Sequence, residues 1–525
     1  MAARSLNRIV RGFTALSMAA TVMVACSGSD DTAKKADGTD TRGGTTPTTA
    51  PANPDVDLVL TVGDEATAQL DDRFQSYNVE MVEVTGGYFW PPYEAGGAKV
   101  YREPIDLSSE RLRNLAKALG PVYIRVSGTW ANSTYFDAEG TTGGTPPAGY
   151  EGVLTAEQWR GVGEFARFLD SEVVTSFAGN TGSRDGAGVW TDTQARLLLE
   201  FSQDNDVPVV AAEFFNEPNL NIGVPRDQTA DTFARDFEVF RAMVEEVQPD
   251  LLIVGPGGSE DVTPMIIDAP IKSREIFERV SPAFDVVSYH FYPKVSERCG
   301  NKEQPDVALT EEFLSRVDVD RDFYEALRDE FEPDAPMWIT ETAEAACGGD
   351  RWAATFRDVI RYVDNNGRLA RGDGDAVFHN TLAASDYGLL DEDGFVPRPN
   401  YWAAVLWHQL MGPTVVAPPA ADPKAGLNVY AQCTPGDGDP SVTYAVVNPS
   451  PTETRTVATG SGAATVYRLT GDLDGTEANL NGKALTAAEN GTVPEMSGEK
   501  VTGSIEIAPA SVAFVVEPTT SKACA

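Results

Sequence analysis

The chain has 525 residues, 42% hydrophobic and 23% charged, an ordinary balance for a folded soluble protein with room for one large barrel and a smaller second part. Its formal net charge of −38 is not ordinary, and it argues against nucleic acid or any other polyanion as a partner held by bulk charge. The plainer reading of that charge is solubility outside the cell.

In chain order, a targeting segment comes first, over residues 1–26. Arg4, Arg8 and Arg11 make a basic start, an apolar run over residues 13–25 follows, and Met23-Val24-Ala25-Cys26 resembles a bacterial lipobox. The run is too short to span a bilayer. The expectation is an exported bacterial chain, held at the cell surface by lipid on Cys26 or, since Met23 stands where leucine is usual, simply secreted. Membrane contact is expected only through that lipid. Residues 27–55, rich in Ser, Thr, Asp, Gly and Pro, read as a disordered tether. Residues 56–76 open on the apolar positions Val56, Leu58, Val59 and Leu60, an N-terminal strand expected to join a β domain at the far end of the chain.

Over residues 77–411 short apolar runs alternate with helical periodicity. Strands are predicted at 78–84, 122–126, 173–177, 209–215, 251–254, 284–289, 337–340 and 376–382. Helices are predicted at 108–119, 155–169, 191–202, 229–247, 311–331, 352–363 and 400–410, the first opening on a serine cap, the second and third on a threonine. Eight strands, each backed by a helix except in the loop-rich fifth and sixth units, predict an α/β fold of the (β/α)8 TIM-barrel type. An open doubly wound sheet would need a glycine fingerprint that Gly255-Pro256-Gly257-Gly258 does not supply. Residues 412–525 lose the helical period, and strands predicted at 443–447, 465–469, 503–507 and 512–516 make a β-sandwich.

Five cysteines are an odd count for an exported chain. With Cys26 lipidated, the others are predicted to pair as Cys299–Cys347, between loops that follow barrel strands, and Cys433–Cys524, within the C-terminal part. No close Cys or His pair offers a zinc site, and His290, His379 and His408 are isolated in sequence, so neither metal nor cofactor is expected.

The chemistry gathers at strand ends. Asn216 and Glu217 close one apolar run, where Pro218 stops the strand, and Glu341 closes another after Met337-Trp338-Ile339-Thr340. In a barrel of parallel strands that end carries the active site. Two carboxyl groups at one mouth, one protonated to serve the leaving oxygen and one ionised to attack the anomeric carbon, are what glycoside hydrolysis needs. Other strand ends bring Glu80, Arg125 with Ser127-Gly128-Thr129-Trp130, Tyr289-His290-Phe291-Tyr292, Cys347-Gly348-Gly349 and Asp386-Tyr387. Trp130, Tyr292 and Tyr387 are candidates to stack on sugar faces.

These stretches carry a resemblance. Tyr123-Ile124-Arg125-Val126-Ser127-Gly128-Thr129, Asn216-Glu217-Pro218-Asn219, Tyr289-His290-Phe291-Tyr292, Thr340-Glu341-Thr342 with Gly348-Gly349, and Tyr387-Gly388-Leu389-Leu390-Asp391-Glu392 followed by Pro399-Asn400-Tyr401-Trp402 resemble, in that order, the heparanase-like β-glucuronidases of glycoside hydrolase family 79. The resemblance implies a retaining hydrolase that removes β-linked glucuronic or 4-O-methyl-glucuronic acid from a carbohydrate. It implies Glu217 as acid/base, Glu341 as nucleophile, Asn216 on the sugar 2-hydroxyl and Tyr292 orienting Glu341. Glu80 would contact the glucuronate, and the backbone amides of Gly348 and Gly349 would bind its carboxylate, with Tyr387 nearby. Thr129, Trp130 and His290 join them as substrate-binding positions. Cys347 departs from the small residue usual in the family.

An endo-acting heparanase- or hyaluronidase-like glucuronidase would need a groove lined with Lys and Arg. Arg368 and Arg371 come nearest, and Asp373 and Asp375 dilute them. The remaining alternatives are another barrel glycosidase with the same two glutamates, such as an arabinofuranosidase, and a glycan-binding surface lipoprotein without turnover.

Overall fold

Eight parallel strands close on themselves in the computed structural model, which describes residues 56–93, 99–262, 269–372, 374–419 and 426–525. They are β1 (Gln75–Asn78), β2 (Tyr123–Val126), β3 (Glu172–Ser176), β4 (Val209–Glu213), β5 (Leu252–Gly258), β6 (Val286–Phe291), β7 (Met337–Thr342) and β8 (Gly374–His379). Each pairs with the next, and β8 returns to β1 with Val377 opposite Gln75. The expected TIM barrel is therefore present, and the open sheet is not. The targeting segment, Cys26 and the tether lie outside the described residues.

Several local expectations need correcting. Where the apolar spacing predicts a strand over 78–84, β1 ends at Asn78, and Met81, Val82 and Val84 belong to the short helix Met81–Thr85. So brief an apolar run does not distinguish strand from helical turn. What decides it is a cap: Glu80 N–H donates to the Glu83 carboxylate at 3.0 Å. The barrel accordingly begins inside the segment 56–76. Ser109, not Ser108, caps Glu110–Lys117; Thr155 caps Ala156–Phe168 as predicted, and Thr229 caps Ala230–Val247. Thr191 does not cap; Thr193–Asp204 starts after Asp192, and the Thr191 hydroxyl donates to the Ser183 carbonyl at 3.0 Å. The fifth unit is not helix-free, since Ser273–Val280 covers β5. The helix predicted at 311–331 breaks at Ser315 into Glu311–Leu314 and Arg316–Phe331.

The largest difference is the helix Arg357–Arg371, which runs past the predicted end at residue 363 and is buried along most of its length. Its charged residues lie beneath the β domain, paired with one another. Arg361 donates to Asp358 and Arg368 to Asp364, each at 2.6 Å. From the β domain, Tyr430 and Asn428 donate to Asp364 at 2.6 and 2.7 Å. Arg368 is thus engaged inside the molecule.

Eight C-terminal strands and two strands of the N-terminal segment make one ten-stranded sheet, so the N-terminal segment joins the β domain as predicted. Leu58 lies parallel to Val457, and Ala66–Gln69 runs antiparallel to Thr414–Val416. The strand predicted at 465–469 is the end of the much longer Arg455–Thr470, whose register breaks between Ala458 and Ala463. Both predicted disulfides are made, with Cα separations of 6.4 Å for Cys299–Cys347 and 5.2 Å for Cys433–Cys524. Among the described residues, no helix is long and apolar enough to cross a membrane.

Candidate active site

Successive strand residues alternate in and out, so side chains stack in layers along the barrel axis. The first layer is apolar. Tyr123, Val174, Ala211, Val254, Val286, Trp338, Ala376 and Phe378 cluster there, with the Tyr123 and Trp338 rings 4.6 Å apart. Two residues on, the same strands present Arg125, Glu213, Ser288 and Thr340. Arg125, 1% exposed, donates through Nε and Nη2 to Glu213 Oε2 at 3.0 and 2.7 Å, and Thr340 donates to Glu213 Oε1 at 2.7 Å. Glu213, the acid that interrupts the apolar run of β4, is the counter-charge of this layer. Burial works against the Arg125 cation, but the carboxylates of Glu213 and Glu341 outweigh it and hold the guanidinium above its ordinary value.

The next layer holds the two predicted glutamates. Tyr289 pairs with Ile339 but His290 pairs with Glu341, so Thr340 is an extra residue on β7. This bulge turns both Thr340 and Glu341 inward, which regular alternation forbids. Tyr292 donates to Glu341 Oε1 at 2.6 Å, and Arg125 Nη1 donates to Glu341 Oε2 at 3.1 Å. Across the mouth, Glu217 has φ of +46°, in the left-handed region that costs a non-glycine residue ~1–2 kcal/mol. Asn132 holds that turn, accepting from Asn216 N–H at 2.9 Å and donating to the Asn216 carbonyl at 2.8 Å. Asn216 Oδ1 accepts from Arg125 Nη2 at 2.8 Å. Glu217 Oε1 lies 3.1 Å from His290 Nδ1, and that nitrogen is 3.7 Å from Glu341 Oε2. Burial works against an imidazolium at His290, but the Glu341 charge and the Glu217 hydrogen bond outweigh it and raise the ring above its ordinary value. One oxygen of each glutamate and one nitrogen of His290 all lie within 4.8 Å of one another.

Glu80, from the turn after β1, is 4% exposed and accepts from Asn380 Nδ2 at 3.2 Å. Its Oε2 has no partner among the described residues. It faces Gly128, whose φ is +86° and where a Cβ would stand 1.8 Å from that oxygen, so only glycine fits. Burial, then the charges of Glu341 and Glu83, push the Glu80 carboxyl well above the usual carboxylate range. Above these groups opens a cavity of about 210 Å³. Glu80, Thr129, Trp130, Glu217, Tyr292, Glu341 and Tyr387 line it together with Phe89, Trp90, Lys99, Glu260, Cys347 and Asn380.

Residues 102–367, just over half of the chain, match the N-terminal domain of glycosyl hydrolase family 79. The chain belongs to that family. It is 25% identical to heparanase-like protein 1 of Arabidopsis thaliana, an alignment covering 79% of this chain and 85% of that protein. It is 23% identical to the baicalin-β-D-glucuronidase of Scutellaria baicalensis, covering 89% and 93%. Among solved structures, a 4-O-α-L-rhamnosyl-β-D-glucuronidase from Fusarium oxysporum 12S superposes with a TM-score of 0.61 at 15% identity, covering 88% of this chain and 100% of that one. The GH51 α-L-arabinofuranosidase of Thermotoga petrophila RKU-1 gives 0.62 at 17%, covering 87% and 99%. At such identities these two structures speak for the fold alone. The family 79 membership makes the protein a glycoside hydrolase.

In this family 79 chain, the other predicted site residues fall into three groups. Asn216 and His290 lie buried directly under the cavity. Tyr292 and Tyr387 line it, and Asn380 Nδ2 fixes their hydroxyl ends at 2.8 and 3.3 Å. Trp130 lines it as well, its ring 4.9 Å from Phe89. Gly348 and Gly349 follow Cys347 behind the wall, their carbonyls accepting from Arg298 Nη1 at 3.0 and 3.1 Å. His379 and His408 stay outside the site. Burial drives His379 down to about 4, and its Nε2 lies 2.8 Å from the Tyr387 carbonyl. The triad Glu217, His290 and Glu341 is spaced for a metal ion, but its chemistry does not suit one. Arg125 already sets a cation 3.1 Å from Glu341 and 3.3 Å from His290 Nε2.

Glu83, beneath Glu80, carries a testable consequence. Burial pushes its carboxyl from 4.5 up to about 7, although Arg102 Nη1, 3.8 Å away, opposes this. A carboxyl raised in this way stabilises the fold fully below its unfolded value and loses that contribution as pH rises through about 7, an effect of up to ~3 kcal/mol. Thermal stability should therefore fall between about pH 5 and pH 8 more steeply in the native protein than in Glu83→Gln, whose amide still accepts from Glu80 N–H. Parallel melting curves for the two would refute this.

Proposed function

We propose that the protein is a retaining β-glucuronidase that removes terminal β-linked glucuronic or 4-O-methyl-glucuronic acid from glycans or glycosides. The observation that carries the reading is the pair Glu217 and Glu341, with oxygens within 4.8 Å across one cavity and different surroundings. Glu341 meets two donors, one of them a cation, and is the nucleophile. Glu217 sits on His290 at the open side and is the acid/base. Glu217 gives its proton to the glycosidic oxygen as Glu341 attacks the anomeric carbon, the glycosidic bond breaks, and the leaving alcohol departs. Water, losing a proton to Glu217, then opens the glycosyl ester and returns the anomeric configuration. Asn216, fixed by Arg125, meets the 2-hydroxyl, and Glu80, whose carboxyl burial holds well above the usual carboxylate range, contacts the glucuronate. In this reading the backbone amides of Gly348 and Gly349 bind the sugar carboxylate, with Tyr387 nearby.

The baicalin β-D-glucuronidase of Scutellaria baicalensis, similar over most of this chain, supports the sugar. The net charge of −38 and the pairing of Arg368 inside the molecule argue against a sulfated polyanion as substrate. We place the enzyme outside the cytoplasmic membrane, tethered by lipid on Cys26; its two disulfides support an oxidising compartment.

The test is a panel of aryl glycosides that differ only in the sugar, run with Glu217→Gln alongside. Turnover should be confined to the β-glucuronide and its 4-O-methyl ether, with the β-anomer released first. Glu217→Gln should lose about 10²–10⁴-fold on alkyl glucuronides and far less on those with activated aryl leaving groups. Preference for an α-L-arabinofuranoside, or equal loss on both leaving groups, would overturn the assignment.

A further inference from the structure

The cavity that has to admit an anionic sugar is itself lined by four carboxyl groups, Glu80, Glu217, Glu260 and Glu341. The nearby arginines are engaged elsewhere. Arg125 is held by Glu213, Asn216 and Glu341. The Arg298 side chain is 1% exposed, paired with Asp386 and with the carbonyls of Gly348 and Gly349. Among the described lining residues, the lysine or arginine is Lys99, from a hairpin that follows β1 and pairs Gly87–Phe89 with Val100–Arg102. Lys99 is exposed, and the charged group that acts on it is Glu80. Its position is nevertheless defined, because its Nζ stands 4.6 Å from the ring centres of both Trp90 and Trp130. Trp90 in turn packs against the loop after β7: a Cβ on Gly348 would lie 2.6 Å from Trp90 Cβ. The ammonium and its two indoles therefore line the cavity with the Gly348 loop packed directly behind them.

We propose that Lys99, clamped between Trp90 and Trp130, is the specificity-determining cation of this site: it pairs with the carboxylate of the bound uronate ring and selects a uronide over the matching neutral pyranoside. The inference rests on the uronide reading above. The aromatic clamp does the work that a buried counter-ion does elsewhere. It removes much of the rotamer freedom of a long side chain, so the charge waits where the ligand arrives.

The experiment compares native enzyme, Lys99→Met and Lys99→Arg on 4-nitrophenyl β-D-glucuronide and 4-nitrophenyl β-D-glucoside, with the inhibition constant of free D-glucuronate measured in parallel. In Lys99→Met the glucuronide-to-glucoside ratio of kcat/KM should fall about 10- to 100-fold, mainly through KM, and D-glucuronate should inhibit more weakly by a similar factor. Lys99→Arg should recover most of the ratio. Lys99 is exposed but feels the charge of the buried Glu80, so melting curves of the variants report any misfolding. An unchanged ratio, or equal losses on both sugars with unchanged D-glucuronate inhibition, overturns the inference while leaving the glucuronidase reading intact. A native enzyme inactive on every β-glucuronide sinks that reading itself, and this inference with it.

Discussion

Replacing Glu341 by alanine should abolish ordinary turnover, with a fall on the order of 10⁵-fold on every glucuronide, whatever its leaving group. The reason lies in what remains. Tyr292 and Arg125, which now meet the two carboxylate oxygens at 2.6 and 3.1 Å, would face an empty space built for an anion. Azide should enter it and restore aryl release, and because it attacks from the nucleophile's side in a single displacement the product should be the α-glucuronosyl azide. Azide rescue of Glu217→Ala should instead give the β-azide, because there the covalent ester still forms first. Nuclear magnetic resonance of the two products distinguishes the roles. The β-azide from Glu341→Ala would reverse the assignment of nucleophile and acid/base.

Removal of Arg125 should have the largest effect on the fold itself. Arg125→Met leaves Glu213, 1% exposed, and Glu341 facing one another without their shared cation. Breaking such a buried arrangement from one side costs about 3–5 kcal/mol. Denaturant unfolding of the variant should show that loss. Arg125→Lys should not rescue it, since one ammonium cannot reproduce the guanidinium contacts to Glu213, Asn216 and Glu341. The paired change Arg125→Met with Glu213→Leu should recover part of the stability, because no charge is then stranded at residue 213. A single substitution that melts like the native protein would refute this view of the barrel interior.

The barrel was legible in the sequence because its strands are apolar and short and its helices periodic, and because Glu217 and Glu341 each close an apolar run. What escaped was whatever depends on contacts distant in sequence. Asn132 gives no local sign that it holds the Asn216–Glu217 turn from a loop after β2. Glu213 was visible as an acid inside a strand, but its partner lies 88 residues away. Asn380, within a predicted strand, joins Glu80, Tyr292 and Tyr387, which regular alternation does not foretell. Trp90 and Lys99 occupy a stretch with neither helical nor strand period, and only the fold brings them to Trp130. The helix Arg357–Arg371 extends past its predicted end at residue 363, and its charges are paired beneath the β domain, a contact distant in sequence.

The pairing of Leu58 with Val457, before the barrel starts at Gln75, sets an order on assembly. A nascent polypeptide carries its leading strands without partners while the entire barrel is made behind them. Synthesis has to pass Val457 before Leu58 finds its neighbour, a loop closure across most of the molecule. The contact between Leu58 and Val457 therefore closes only after every barrel strand, Gln75 to His379, has been made.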